Sequence, residues 1–565
     1  MRALFLALAC GAAFGAPQKP IVKQLHVAVP MRDGVRLSAN VFLPGEHVRV
    51  PALLVRTPYG KGDDITPNYQ VFVEHGYAVV VQDVRGRYES EGEFQPLTQE
   101  APDGDDTLNW IARQSWSNGR IGMMGGSYLG IAQWKVALLN NPHLKAIFPV
   151  VSGDDDYRDR FYSTGGALKL GNRLEWMSEN LKAPGYHPDF SKFVLHLPLR
   201  TADIAATGWT SEMYREAIEH PAFDAFWRAI STREQLQRIH IPVFAVGGWY
   251  DNFVESDLGA FTTLHKSSGL NRILVGPWPH DMSYKFPGVD FGRDSTVAVR
   301  ELQLEWFDQW LMGKDTPLVS KPAVKFFVMG VNKWREEREW PPAETLEQKF
   351  YLASNGRANT MSGDGALAEK PRWRVSEDHY VFDPNDPAPT RGGSVCCNPL
   401  VFPWGPMDQR PVEQRPDVLV YTTAPLKQDA EAIGPVRVVL WVSTSARDTD
   451  FTAKLVDVFP DGYARNLTDG ILRLRYRNSL DKPEPVKEGE LYQVAVDAGV
   501  TSNVFLKGHR IRVEISSSNF PRFDRNTNTG GTVADETRLF KASQTVYHDR
   551  THPSCLVLLV MPSGA

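Results

Sequence analysis

A chain of 565 residues is too long for one hydrophobic core and implies roughly two or three domains. Its hydrophobic share of 42% and charged share of 23% are those of an ordinary globular protein, which excludes a fibrous or disordered chain. A net charge of −5 and a pI near 6.3 give no basic footprint for a nucleic-acid or membrane-surface partner, and none is expected.

Met1–Gly15 carries one positive charge, an apolar run and the small residues Ala13 and Gly15, so residues 1–15 read as a secretory signal and the mature protein is expected to be exported (periplasmic or secreted). A buried N-terminal helix is the competing reading; the short run and the following Pro17 and Pro20 count against it. No later stretch approaches the ~18 apolar residues that span a bilayer. From about 21 to 45, short apolar alternations (Leu25, Val27, Val29; Val35, Leu37, Ala39, Val41, Leu43) around Asp33-Gly34 predict a hairpin.

Continuous runs then take over. Ala52–Arg56 and Ala78–Gln82 read as buried strands, with a helix through Phe72 and Val73 between them. A further helix from about Asp103 carries Leu108, Ile111 and Ala112 on one face. Buried strands alternating with helices imply a largely parallel sheet, so the expected class is α/β. This first part spans 21–149. Strand signals vanish over 150–235, where short helical stretches broken by Pro184, Pro188, Pro198 and Pro221 predict a helical cap. The rhythm resumes over 236–340 with strands Ile241–Val246 and Arg272–Val275 and a helix Val297–Met312 that Gly313 ends. Residues 345–565 read as all-β, with strands Val436–Val442, Phe451–Phe459 and His509–Ile515, enough for a jelly-roll sandwich. In the last, His509, Ile511, Val513 and Ile515 alternate with Arg510, Arg512 and Glu514, which predicts one buried face.

Without the leader, Cys396, Cys397 and Cys555 remain, so at most one disulfide forms. One of the adjacent pair with Cys555 is the expected pairing; three unpaired thiols are the alternative. No Cys/His spacing suggests zinc.

Chemistry concentrates in Arg120-Ile-Gly-Met-Met-Gly-Gly-Ser-Tyr-Leu-Gly130. Ile121–Met124 reads as a strand, Gly125 and Gly126 permit a sharp turn, and a helix runs from Tyr128. A serine on such a turn exposes its hydroxyl beside the N–H groups that open the helix. The strict Gly-x-Ser-x-Gly pattern is missed by one place, at Gly130. A serine nucleophile needs a histidine to take its proton and a carboxylate to orient that histidine. On an α/β-hydrolase sheet they arrive in the order Ser, Asp, His after successive strands. Asp251, in Gly247-Gly-Trp-Tyr-Asp-Asn-Phe253, and His280, in Gly276-Pro-Trp-Pro-His-Asp-Met282, both follow predicted strands. Singly, Ser127 could serve packing, Asp251 a helix cap and His280 a loop; their order makes the catalytic reading.

The segments Arg56-Thr-Pro-Tyr-Gly-Lys61, Gln82-Asp-Val-Arg-Gly-Arg87, Ser90-Glu-Gly-Glu-Phe94, Asp103–Ile111, Trp116-Ser-Asn-Gly119, Gly125–Gly130, Gly248-Trp-Tyr-Asp251, Gly276–His280 and Asp448–Val456 resemble the CocE/NonD hydrolases, the cocaine-esterase-like, S15-related family. The resemblance covers nearly the whole mature length and includes the displaced Gly130. It implies an α/β-hydrolase domain with an inserted helical cap and a C-terminal jelly roll. It implies Ser127 as nucleophile, His280 as base and Asp251 as its orienting acid. It also implies an oxyanion hole from the Tyr128 N–H and the Tyr59 hydroxyl. A phenol near pKa 10 keeps its proton at neutral pH and can donate.

The expected reaction is hydrolysis of a small ester or amide substrate through an acyl-enzyme, with no cofactor and no metal. An Xaa-Pro dipeptidyl peptidase or β-lactam side-chain acylase is the alternative, and a non-catalytic carbohydrate-binding protein a more distant one. Resemblance to the α-amino-acid ester hydrolases is incomplete. Asn252, Phe253 and Val254 stand where those carry carboxylates for a substrate ammonium. Asp154-Asp-Asp156 and Asp159 could supply negative charge but read first as a solvated loop or helix start, and their spacing fits no calcium loop. Trp249, Tyr250 and Trp278 are candidates for an apolar acyl pocket, or for packing under the loops.

Overall fold

The continuous apolar runs of the first half form a ten-stranded sheet. The computed structural model describes residues 20–96, 98–371 and 376–562; the expected leader and Cys10 lie outside the described residues. The strands are β1 (Val22–Pro30), β2 (Arg36–Leu43), β3 (Val50–Thr57), β4 (Ala78–Asp83), β5 (Ser117–Gly126), β6 (Leu144–Val150), β7 (Phe244–Gly248) and β8 (Arg272–Gly276), followed by Val324–Val328 and Lys333–Glu337. Their spatial order is β1-β2-β4-β3-β5-β6-β7-β8 and then those two. Pairings from β4 through Val324–Val328 are parallel, while antiparallel pairs close both edges.

Burial on both faces explains why these strands read as unbroken apolar runs. Leu54 and Val80 join one core with Leu108, Ile111, Trp134 and Leu264. Their neighbours Leu53, Val55, Val79 and Val81 join the opposite one with Phe72, Trp306 and Phe307. Helices α1 (Pro67–Glu74), α2 (Glu100–Ala112) and α3 (Tyr128–Ala137), with Val254–Ser268 and Val299–Phe307, supply those covering residues. The predicted hairpin forms, with Gly34 at φ +87° in its turn. Strand β1 is nevertheless an exposed edge: only Val29 is buried, a register shift separates Gln24 from Val27, and Leu25 faces solvent.

Between β6 and β7 the chain builds a helical cap with a core of its own, in which Tyr157, Leu174, Met177, Tyr214 and Trp227 meet Phe520 from the C-terminal region. Helix α4 (Leu170–Asn180) is its longest described element. From Leu346 onward the regular structure is almost all antiparallel β, dominated by Ala430–Thr444 paired with Tyr492–Phe505.

Two expectations fail in this all-β region. The strand Arg510–Ser516 is buried on both faces, not one. Its charged face is neutralised in place, Arg512 by Glu413 at 2.5 Å and Glu514 by Lys454 at 3.4 Å. The disulfide joins Cys396 to Cys397, and Cys555 is a buried free thiol on the strand Cys555–Val560. The predicted bridge between one of the adjacent cysteines and Cys555 is therefore wrong. Proximity in sequence outweighed the entropy argument for a long-range tie.

Candidate active site

Strand β5 runs into α3 through a turn in which Ser127 adopts φ +55°, a conformation costly for a non-glycine residue. The turn is over-determined by its surroundings. Ser127 N–H donates to Val150 O at 2.9 Å, and Gly130 and Ile131 N–H donate to Ser127 O. A Cβ on Gly125 would sit 2.5 Å from that of Leu129. One on Gly130 would sit 2.5 Å from that of Ser152, which is why glycine stands three places after the serine and not two.

The loops after β7 and β8 lie against each other. Trp249 N–H donates to Gly276 O at 2.8 Å and Tyr250 N–H to Trp278 O at 3.0 Å. A Cβ at Gly248 would meet Trp278 O at 2.2 Å, so the glycine is what lets the two loops touch. Their contact brings His280 Nδ1 to 2.6 Å from Asp251 Oδ2, while His280 Nε2 lies 2.9 Å from Ser127 Oγ. Asp251 is fully buried, its other oxygen accepting the Phe253 N–H at 3.0 Å. The structure thus joins all three residues in one chain of hydrogen bonds.

A second Ser/His/Asp group in the all-β region shows what such proximity lacks elsewhere. Ser354 Oγ and Asp378 Oδ2 both approach the same nitrogen, Nε2, of a fully buried His548. One ring nitrogen cannot relay a proton between two partners while the other, Nδ1, has none, so this group is a packing device.

Tyr59 is placed beside Ser127 by the loop after β3. Its N–H donates to Thr57 Oγ1 at 3.1 Å, Lys61 N–H donates to Asp83 Oδ1 at 2.6 Å, and Arg87 Nε donates to Pro58 O at 3.0 Å. Its hydroxyl accepts from Trp176 Nε1 at 3.1 Å. Desolvation in the cleft raises the phenol's pKa, with Trp176, Ser127 and the cations Arg173 and Arg87 opposing it, so the proton is held through neutral pH. Tyr128 is fixed from behind: its hydroxyl donates to Glu100 Oε1 at 2.7 Å, and Arg56, itself fully buried, donates to Glu100 Oε2 at 2.5 Å and to Gln82 Oε1 at 3.0 Å. These buried, charge-assisted bonds hold the residue whose N–H follows the serine in one geometry.

The cleft over Ser127 is lined by Tyr59, Tyr128, Phe161, Trp176, Phe253 and Met213, with Asp159, Arg160, Asn172 and Arg173 at its polar end and the Cys396–Cys397 disulfide in its wall. Trp249, Tyr250 and Trp278 do not line it. All three are buried and spend their polar atoms on carbonyls beneath the loops: Trp249 on Phe327 O, Tyr250 on Asn466 O and Trp278 on Ser295 O. They hold the loops; the acyl-pocket reading of them is corrected. Nor are the aspartates solvated. Asp154 pairs with Arg233, Asp155 with Arg158, and Asp156 with Lys135 and Arg160, all three carboxylates being buried. Asp159 accepts the Asp154 and Asp155 N–H groups on one oxygen and Ser256 Oγ on the other. Burial and its acidic neighbours push it up to about 7.

Sequence reasoning missed Trp176, Asn172 and Arg173. They sit on α4, far from the motifs in sequence, and only the cap's fold brings them over the serine.

Comparison with known proteins agrees with this architecture. Residues 33–281 match the X-Pro dipeptidyl-peptidase (S15 family), and residues 319–557 match the X-Pro dipeptidyl-peptidase C-terminal non-catalytic domain. The chain is 41% identical to a cocaine esterase of Rhodococcus sp. (strain MB1 Bresler), over 95% of this chain and 98% of that one. Among solved structures it is similar to an aminopeptidase from a marine sediment Thaumarchaeota archaeon, at 25% identity and TM-score 0.85 over 98% and 99% of the two chains. It is also similar to an α-amino acid ester hydrolase, at 27% identity and TM-score 0.80 over 99% and 100%. The fold and these matches define a serine hydrolase with an α/β-hydrolase domain and a large C-terminal all-β domain. The chain belongs to the CocE/NonD hydrolases of the S15 family.

Proposed function

We propose that this protein hydrolyses carboxylic esters of small acyl groups through an acyl-enzyme formed on Ser127. The observation that carries the reading is the unbroken Asp251–His280–Ser127 hydrogen-bond chain opening on a cleft that also contains Tyr59. Ser127 Oγ attacks the ester carbonyl as His280 Nε2 takes its proton, and buried Asp251 stabilises the imidazolium. The Tyr59 hydroxyl and the Tyr128 N–H hold the tetrahedral oxyanion. His280 then gives its proton to the departing alkoxide. A water then attacks the acyl carbon as His280 takes its proton, and the bond to Ser127 Oγ breaks as His280 returns that proton to the serine, freeing the acid. No step needs a metal or an organic cofactor.

An ester is favoured over a dipeptide by the polar end of the cleft. A dipeptidyl peptidase must hold a free N-terminal ammonium. Here Asn252, Phe253 and Val254 follow Asp251, both oxygens of Asp159 are already used, and Arg160 and Arg173 would repel a cation. Turnover of p-nitrophenyl butyrate against Gly-Pro-p-nitroanilide tests this. The ester is expected to be the good substrate and the anilide a poor one. Efficient anilide cleavage that disappears on N-acetylation would establish the dipeptidyl-peptidase reading instead.

Tyr59→Phe removes one oxyanion donor and the acceptor of the Trp176 N–H while keeping the ring. It is expected to lower kcat by ~10²–10³-fold with little change in KM, because the donated bond is strongest in the transition state. Steady-state kinetics on a single ester checks it; unchanged kcat would remove Tyr59 from the oxyanion hole.

A further inference from the structure

Among the described residues, some polar groups lining the cleft do not find a partner for all their polar atoms. Asn172 is 6% exposed, and both its amide oxygen and its amide nitrogen lack a hydrogen-bond partner. Arg160 gives Nη1 to Asp156 but leaves a buried Nε without an acceptor. Arg173 lies between the Phe161 and Trp176 rings, 4.4 and 5.4 Å from their centroids, and donates Nε and Nη2 to Arg160 O at 3.4 and 3.1 Å. Among the described residues, no carboxylate lies within ion-pair distance of Arg173. Burial and the neighbouring Arg160 pull its pKa down, as befits a cation short of counter-charge. All three side chains line the cleft that contains Ser127.

Buried polar groups without partners are costly, and a group aimed into a binding cleft recovers that cost when a ligand completes it. With Nε and Nη2 directed at Arg160 O, a guanidinium stacked on aromatic faces still presents Nη1 and the second Nη2 hydrogen end-on to a planar anion, and an amide beside it adds one donor and one acceptor. We propose that the substrate carries a carboxylate on the group that enters the cap, so that the enzyme acts on half-esters of dicarboxylic acids, with Arg173 and Asn172 binding the free carboxylate while the ester carbonyl lies at Ser127. The proposal rests on the acyl-enzyme reading for the chemistry and adds the charge of the substrate.

Three methyl esters of matched length test it: monomethyl glutarate, its neutral terminal amide, and methyl 5-aminopentanoate, whose terminus is an ammonium. Their binding is measured calorimetrically to Ser127→Ala and their kcat/KM on the unaltered enzyme. The half-ester is expected to bind more tightly than the amide, and the ammonium ester most weakly. Arg173→Gln in the Ser127→Ala background is expected to weaken half-ester binding roughly ten- to a hundredfold and to leave the amide nearly unchanged. Arg173→Lys, which keeps the charge but not the fork, should recover part of the loss, and circular dichroism identifies any variant that has unfolded. Equal binding of all three esters, or preference for the ammonium ester, overturns the proposal, as does a loss in Arg173→Gln shared equally by all three. Tight half-ester binding without turnover by the unaltered enzyme would instead count against the acyl-enzyme reading and leave the anion site standing.

Discussion

Ser127→Ala is expected to lower ester turnover by ~10⁴–10⁶-fold while leaving the fold intact, because the proposed covalent intermediate forms on this hydroxyl. The side chain's hydrogen-bond partner is His280, and the backbone bonds that hold the turn, to Val150 O and from Gly130 and Ile131, do not involve the hydroxyl. Alanine at φ +55° bears the same backbone strain as serine, so the substitution should shift stability by no more than about 0.5 kcal/mol. Chemical denaturation and p-nitrophenyl ester kinetics on the same preparation separate the two effects. Residual activity near the original level in a folded variant would remove Ser127 from the mechanism.

Asp251→Asn is expected to cost ~10⁴-fold in kcat, and its local geometry says why. An asparagine there could present either its oxygen or its amide nitrogen to His280. Phe253 N–H decides the matter, since it donates at 3.0 Å to the oxygen that does not face the histidine. Keeping that bond turns the amide NH₂ toward His280 Nδ1, which must then accept, leaving the proton on Nε2. In that tautomer Nε2 donates to Ser127 Oγ and cannot take its proton. The carboxylate that would have stabilised the imidazolium is gone as well. Substrate binding does not involve Asp251, which is buried behind the histidine, so KM should change little. A variant with near-normal kcat would show that His280 is oriented by something other than Asp251.

Much of this site could be read from sequence because its parts are local. Ser127, Asp251 and His280 each follow a buried apolar strand within a few residues, and the parallel strand directions then bring them to the same, carboxyl end of the sheet. Even Gly130, which breaks the strict pattern, has a local cause once Ser152 is seen beneath it. What failed depended on contacts between distant segments. Trp249, Tyr250 and Trp278 looked like pocket residues because aromatic loops near catalytic positions often are, yet each is consumed by a carbonyl of a segment that no periodicity links to it. Asp154, Asp155, Asp156 and Asp159 read as solvated because four carboxylates in six positions repel one another. Their cations, Lys135, Arg160 and Arg233, come from the catalytic helix and from both ends of the cap. Arg512 and Glu514 hid a second buried face for the same reason. Charged residues report burial only through their partners, and several of those partners, Lys135 and Arg233 among them, are long-range.

The cap contributes side chains that the sheet alone could not bring to the cleft. The sheet positions Ser127; α4 hangs Trp176 over Tyr59 and adds Asn172 and Arg173 to the lining of the same cleft. The proposed nucleophile and the proposed anion site thus lie on different segments of the chain.

The central claim is that Ser127 is an activated nucleophile, and covalent labelling tests it most directly. Native protein treated with a fluorophosphonate and digested should show one phosphonyl adduct, on the peptide containing Ser127, absent in Ser127→Ala and strongly slowed in Asp251→Asn. An unlabelled native protein, or an adduct on any other residue that persists in Ser127→Ala, would contradict it.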